Sequence, residues 1–320
     1  MQRTDWKFGF KRHLHLGIAL GMVALTLSAG WTGSRMAASG PCLAFVGTSL
    51  GALSVKGTDG YGIFRRLYPA GEAIARTNRG DDQSRYLHVA TLSHNLGQTL
   101  SAEDRKTAFV SAVLPMVLSV NEAIMDRRRV VDTAVACRAA GRDVGPALQA
   151  RILRYHELYG TDGDTAALLN RMDIVPPSLA IAQAAIESGW GQSRFATTGN
   201  ALFGQRTTNP DRGMRPAALP ETTTVRVAAF GRPIESVRSY IHNLNTYPAY
   251  QAFRDRRAAL RRSGGESDGL TLAGTLVAYS TRGQAYVRDL QSIIRANRLA
   301  AFDTVAPATM PRQHTSGSDT

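Results

Sequence analysis

Pro176-Pro177-Ser178-Leu179-Ala180-Ile181-Ala182-Gln183-Ala184-Ala185-Ile186-Glu187-Ser188-Gly189-Trp190-Gly191 is the stretch on which the reading of this chain turns. The proline pair stops what precedes it, Ser178 is the expected N-cap, and Leu179, Ala182 and Ile186 fall on one face of the helix that follows. Gly189 and Gly191 end that helix. Glu187 then stands in the last turn, at the negative end of the helix dipole and beside Trp190. Both surroundings disfavour the ionised carboxylate, which suits an acid that must hold a proton near neutral pH. The plain alternative is an exposed helix-end glutamate. The Gly-Trp-Gly turn and the very small helix residues favour a tightly packed, specially placed carboxyl instead.

Around this stretch lie 320 residues, 43% apolar and 20% charged, enough for one large or two modest domains and unlike a wholly disordered or collagen-like chain. Subtracting 25 acidic from 38 basic residues gives a net charge of +13, so the surface favours polyanionic partners. The two cysteines, Cys42 and Cys137, cannot build a disulfide-rich scaffold or a cysteine-only zinc site, and the reading favours leaving them unbridged.

At the N-terminus, Lys7, Lys11 and Arg12 precede an apolar run from Leu14 to Leu27, and small residues follow at Ser28, Ala29 and Gly30 and again at Ala37, Ala38 and Ser39. This is the order of a signal sequence, with an uncleaved membrane anchor as the alternative reading of residues 1–39. Pro41 before Cys42 argues against a lipoprotein. Either way the rest of the chain is expected at the cell envelope, periplasmic or anchored in the inner membrane and facing outward. Anionic wall polymer or phospholipid is then a better partner than nucleic acid.

Residues 40–100 read as a linker rich in Gly, Ser, Thr and Ala. At Ser101 a helix-start pattern opens a long amphipathic helix, with apolar residues from Phe109 to Ile124 at helical spacing and a bend or restart expected near Pro115. Further helices are predicted at 145–159, 164–171, 234–246, 249–262, 270–279 and 285–296, and a strand at 221–230. The domain map is therefore a helical segment at 101–160 packing on a catalytic domain at 161–303, with a disordered tail at 304–320.

The run from Ala182 to Ala196, followed by Gly199-Asn200-Ala201-Leu202-Phe203-Gly204-Gln205, resembles the glucosaminidase domain of glycoside hydrolase family 73, and more narrowly the Bax family of bacterial envelope proteins. The likeness continues through Ser236 to Tyr240, Asn243 to Thr246, Ala249-Tyr250, Tyr279 to Gly283 with Tyr286, and Asn297 to Asp303. It extends upstream to Arg105. The resemblance implies a mainly α, lysozyme-like domain with a small β-hairpin lobe and a groove for polysaccharide. It further implies that Glu187 is the general acid acting after N-acetylglucosamine in peptidoglycan. Trp190, Phe203, Gln205, Tyr279 and Tyr286 are the corresponding candidates for holding the glycan, since sugar faces stack on aromatic rings. Taken singly, each tyrosine reads as a half-buried core residue with its hydroxyl satisfied.

Glycoside hydrolysis usually needs a second carboxylate. In the family it often lies just before the phenylalanine corresponding to Phe230, but here Val225-Arg226-Val227-Ala228-Ala229 holds no acid. Glu221 is the preferred substitute, ahead of Asp211 and of Glu235, which begins a helix where an acid is expected anyway. Other patterns fail. Gly265-Glu266-Ser267-Asp268-Gly269 follows an arginine-rich helix rather than a strand, and His156-Glu157 has no second histidine one turn on. Arg127 to Arg129 and Arg254, Arg256, Arg257, Arg261 and Arg262 read as solvated faces. The sequence thus points to an exported, monomeric endo-β-N-acetylglucosaminidase without metal or cofactor. Its rivals are a lytic transglycosylase using Glu187 alone, an amidase, and a non-catalytic wall-binding protein.

Overall fold

The computed structural model describes residues 101–216, 220, 224–265 and 267–304. Residues 1–39, read as an export segment or anchor, residues 40–100, read as a linker, Glu221 and residues 305–320 lie outside the described residues.

Helix α1 spans Ala102–Ala139 and begins as its sequence dictates, with the Asp104 amide donating to Ser101 Oγ at 3.1 Å and two acids in the first turn. It runs through Pro115 unbroken, against the expected restart. Val113, Met116 and Val117 around the proline are fully buried, and this packing outweighs the one lost backbone bond. The helix is long and apolar enough to cross a membrane, but 72% of its apolar window is buried inside the protein, so it is a core helix. Cys137 near its end is in a disulfide, which corrects the expectation of unbridged thiols; Cys42 lies outside the described residues. Pairing depends on proximity in space, which spacing along the chain does not reveal.

Next come α2 (Pro146–Tyr159), closed by left-handed Gly160, and α3 (Thr165–Arg171), capped by the Asp164 carboxylate on the amides of Ala166 and Ala167. Helix α4 (Pro177–Ser188) and the short α5 (Arg194–Gly199) follow. The small lobe is an antiparallel sheet of β1 (Arg206–Thr207), β2 (Gly213–Met214) and β3 (Arg226–Ala228) in the order β1-β3-β2, with Arg206 opposite Val227 and Gly213 opposite Ala228. The predicted strand is thus far shorter in its described part than 221–230. The Phe230 amide donates to the Gly199 carbonyl and Asn200 Nδ2 donates to the Phe230 carbonyl, tying the lobe to α5. Helices α6 (Pro233–Thr246), α7 (Gln251–Arg262), α8 (Gly269–Ala273) and α9 (Gln284–Ala296) complete the fold, with 3-10 turns at Pro248–Tyr250, Val277–Tyr279 and Leu299–Phe302. The architecture is mainly α with a small β lobe.

Helix α4 is the hub. It packs on α1, α8, α9 and the 299–302 turn, and its residues from Leu179 to Ala185 are buried on every side. Tiny side chains are what let four neighbours approach it. Ser178 is not its N-cap. Pro176 takes that position and Pro177 the first helical one, where no N–H needs a partner. The Ser178 amide and hydroxyl donate instead to Asp303, at 2.8 and 2.6 Å, and the Gly269 amide donates to the same carboxylate at 3.0 Å.

The loop entering α4 is held by a buried charge cluster. Asp173, 2% exposed, faces Arg128 of α1 and Arg257 and Arg261 of α7. Arg257 is wholly buried and donates to the carbonyls of Asn170, Asp173 and Ile174 and to Asn245 Oδ1. Arg254, also wholly buried, donates to the carbonyls of Leu244 and Tyr247. These two arginines correct the reading of α7 as a solvated basic face: their targets are carbonyls at chain ends of other helices, invisible in a helix-by-helix reading.

Candidate active site

The helix that carries Glu187 ends in three consecutive residues with positive φ: Gly189 (59°), Trp190 (57°) and Gly191 (78°). For tryptophan this conformation costs about 1–2 kcal/mol, so something must hold it. The Trp190 amide donates to the Ala185 carbonyl, the Gly191 amide donates to Ser188 Oγ, and Ser188 Oγ donates to the Ala184 carbonyl. The indole packs edge-on against Phe109 of α1, with centroids 5.8 Å apart, and Lys106 Nζ lies 5.3 Å over the ring. Trp190 is therefore a partly buried brace between the turn and α1.

The turn fixes the Glu187 carboxyl where water reaches it only partly. Burial pushes its proton affinity above the usual carboxylate range, and a hydrogen bond from Tyr286 opposes that rise without cancelling it. Tyr286 donates from its hydroxyl to Oε1 at 3.0 Å. Oε2 lies beside Gly204, where an added Cβ would stand 3.5 Å away, and Gly204 itself has a φ of 61°. Gly204→Ala is accordingly expected to destabilise the protein by about 1–2 kcal/mol and to slow any reaction that uses Oε2. Calorimetric melting beside an activity assay checks both halves; a variant with the parent's stability and rate would show that neither the backbone nor the open space matters.

From Tyr286, which is buried, a row of rings leads outward. Tyr279 stacks on it at 5.5 Å and 8°, Tyr250 follows at 5.8 Å, and Tyr247, 56% exposed, stands at the surface 5.9 Å further on. Tyr279 is partly buried within this row. Phe203 and Gln205 are placed differently. The Phe203 ring is 2% exposed and lies flat against Tyr240, with centroids 3.9 Å apart at 4°. Gln205 spends its amide on Ser236, donating to the carbonyl at 3.1 Å and accepting from the hydroxyl at 3.3 Å.

Of the second-carboxylate candidates, Glu221 lies outside the described residues. Asp211 sits exposed on the turn Pro210–Arg212 of the lobe. Glu235 accepts from the Gly231 amide at 3.1 Å and pairs with Arg232, the ordinary duty of an acid in a first helical turn. Among the described residues no cluster of three or more His, Cys, Asp or Glu could hold a metal. His156, next to Glu157, is buried with its Nδ1 2.7 Å from Thr161 Oγ1.

Two residues were missed by the sequence reading. Gln183 and Tyr240 are both fully buried; Tyr240 donates to Gln183, and Gln183 in turn donates to Tyr286. The available signal was Gln183 itself, a lone amide within an apolar helix, four residues before Glu187 and hence on the same side.

A half-buried carboxyl whose proton affinity is raised by burial, beside a row of aromatic rings that runs to the surface, is suited to protonating a leaving oxygen on an extended polymer. The glucosaminidase family, described as mannosyl-glycoprotein endo-β-N-acetylglucosaminidase, matches residues 163–299. Protein bax of Escherichia coli (strain K12) is 33% identical over 205 residues, covering 62% of this chain and 72% of the relative. No solved structure matches the chain.

Proposed function

Because the chain belongs to the Bax family and carries a glucosaminidase domain, we propose that it is an exported endo-β-N-acetylglucosaminidase that cuts the glycan strands of peptidoglycan with Glu187 as general acid. The observation that carries this reading is the Glu187 carboxyl, whose proton affinity burial raises and which, among the described residues, is engaged by one donor, Tyr286. In the reaction Glu187 gives its proton to the glycosidic oxygen as the bond to the anomeric carbon breaks. A water or a carboxylate then completes the anomeric carbon, and Glu221 is the proposed second group. The exposed end of the tyrosine row offers the glycan a face on which to stack. Cys137 in a disulfide fits an oxidising compartment, and the net charge of +13 fits an anionic envelope.

Mass spectrometry of sacculi digested with the purified protein tests the proposal. New reducing N-acetylglucosamine ends are expected; anhydro-muramic ends would make the protein a lytic transglycosylase, which the absence of an acid at 225–229 favours as the second reading. Released stem peptides would point to an amidase, and no release at all to a binding protein. If Glu221 is the second group, Glu221→Gln lowers turnover by roughly 10²-fold or more. Full activity in that variant would remove Glu221 from the mechanism.

A further inference from the structure

Tyr240, Gln183, Tyr286 and Glu187 form one continuous hydrogen-bonded line. The Tyr240 hydroxyl donates to Gln183 Oε1 at 2.6 Å, Gln183 Nε2 donates to the Tyr286 hydroxyl at 3.0 Å, and the Tyr286 hydroxyl donates to Glu187 Oε1 at 3.0 Å. Every donor points toward Glu187. Tyr240 and Gln183 are both 0% exposed, so water does not compete for these bonds. We propose that Gln183 and Tyr240 are positioning residues for the acid: together they fix which way the Tyr286 hydrogen points, and so commit it to Glu187.

The argument rests on hydrogen counting. An amide side chain has an accepting end and a donating end, and which end faces which neighbour is decided by the partners available. Tyr240 has one hydrogen and, among the described residues, no acceptor for it other than Gln183. It therefore requires the oxygen of Gln183 on its own side, which turns the NH₂ toward Tyr286. The Tyr286 oxygen then receives a hydrogen and must spend its own on Glu187. Reversing the amide would leave the buried Tyr240 hydrogen unpaired, at a cost of about 1–3 kcal/mol. The packing supports the same assignment. The Tyr240 ring is clamped flat on Phe203, so its hydroxyl cannot swing to another partner.

Without the Tyr240 hydroxyl, Gln183 Oε1 is the buried group left without a donor, and turning the amide supplies one by drawing the hydrogen from Tyr286. Glu187 then shares a donor it previously held alone. A carboxylate that loses a donor holds its proton more tightly. The groups that face Glu187 from the packed elements are Tyr240 of α6, Tyr250 of the turn Pro248–Tyr250, Tyr279 of the turn Val277–Tyr279 and Tyr286 of α9, all uncharged at neutral pH. Lys106 of α1 is directed at the Trp190 ring. Among the described residues no other charge contributes to the Glu187 shift, so a change in this line is read without interference.

The role given to Glu187 follows the proposed function, and the experiment separates the two. The carboxyl carbon of Glu187, labelled with ¹³C and assigned by its loss in Glu187→Gln, is titrated by NMR in the parent, Tyr240→Phe, Gln183→Met, Tyr286→Phe and the Tyr240→Phe/Tyr286→Phe double variant. Phenylalanine at 240 keeps the stacked ring, and Gln183→Met is the second entry into the line if that variant does not fold. The expected result is an upward shift of the midpoint by roughly half a pH unit or more in each single variant. Tyr240→Phe and Tyr286→Phe take the Tyr286 hydrogen from Glu187, and Gln183→Met leaves the Tyr286 oxygen free to accept the proton of neutral Glu187. Tyr240→Phe adds nothing once Tyr286 is phenylalanine. Any glycan-cleaving activity should show the same shift on the alkaline limb of its pH profile. An unchanged midpoint in Tyr240→Phe, or a Tyr240 effect that persists without the Tyr286 hydroxyl, overturns the positioning role. Loss of the proposed glycosidase activity would leave the titration result standing, because the titration needs no substrate.

Discussion

Glu187→Gln is expected to lower glycan cleavage by roughly 10²–10⁴-fold while the variant melts within a few degrees of the parent. Glutamine keeps the shape of the side chain and still accepts from Tyr286 through its amide oxygen, but it has no acidic proton to give. The carboxyl is half-buried with one donor, so its removal leaves no charge stranded in the core. The same features set the pH dependence. On the proposed mechanism the protonated form is the working one, and burial raises the pH at which that proton is lost. Activity limited by this acid should therefore be full below its elevated midpoint and fall as pH rises through it. Muropeptide release followed against pH, with circular dichroism of the variant beside the parent, makes the check. A variant that retains its activity would return Glu187 to the structural carboxyls, and one that loses its fold would do the same by another route.

The largest effect on stability is expected at Asp173. Asp173→Ala strips the buried carboxylate from the centre of a cluster that holds Arg128, Arg257 and Arg261, and leaves Arg257 as an uncompensated buried cation. Breaking such a pair costs about 3–5 kcal/mol. Burial alone would raise the Asp173 proton affinity, but Arg257, Arg261 and Arg128 outweigh it and hold the carboxyl below the ordinary carboxylate range. A carboxyl depressed in the folded state stabilises the fold above its unfolded-state pKa, and that contribution disappears as pH falls through the folded value. The parent should accordingly lose stability in acid more steeply than Asp173→Ala, whose deficit is already present at neutral pH. Urea melts at neutral and acid pH measure this; curves displaced by the same amount at both would show that the cluster does not titrate.

What the sequence made legible was local. Ser101 and Gly189 each mark a helix end by chemistry contained within four residues, and each stands where a helix begins or ends. The Glu187 turn was readable for the same reason. Contacts between residues far apart in the chain were not. Asp303 reaches Ser178 across 125 positions, Tyr240 reaches Gln183 across 57, and Arg257 meets the Asp173 carbonyl across 84, and no spacing rule connects such pairs. Ser178 was read as an N-cap because only its neighbours were in view. The lobe failed differently. Its strands are two or three residues long, too short for any alternation of apolar and polar positions to register.

The Asp303 carboxylate holds the start of α4 and the start of α8 at once, from a residue near the end of the described chain. At the opposite extreme, α1 lies along α4 and braces Trp190. The first and last described elements are thus fastened to a single central helix, the one that bears Glu187. Loosening of either is then not a purely local event. Opening the last turn releases the entry to α4, and loosening α1 releases its exit, so peripheral motion is transmitted along one rigid rod to the carboxyl at its tip. The Glu187 carboxyl shares the cooperativity of the helices packed around it, and protection of the α4 amides from hydrogen exchange becomes a gauge of how long the proposed site stays assembled.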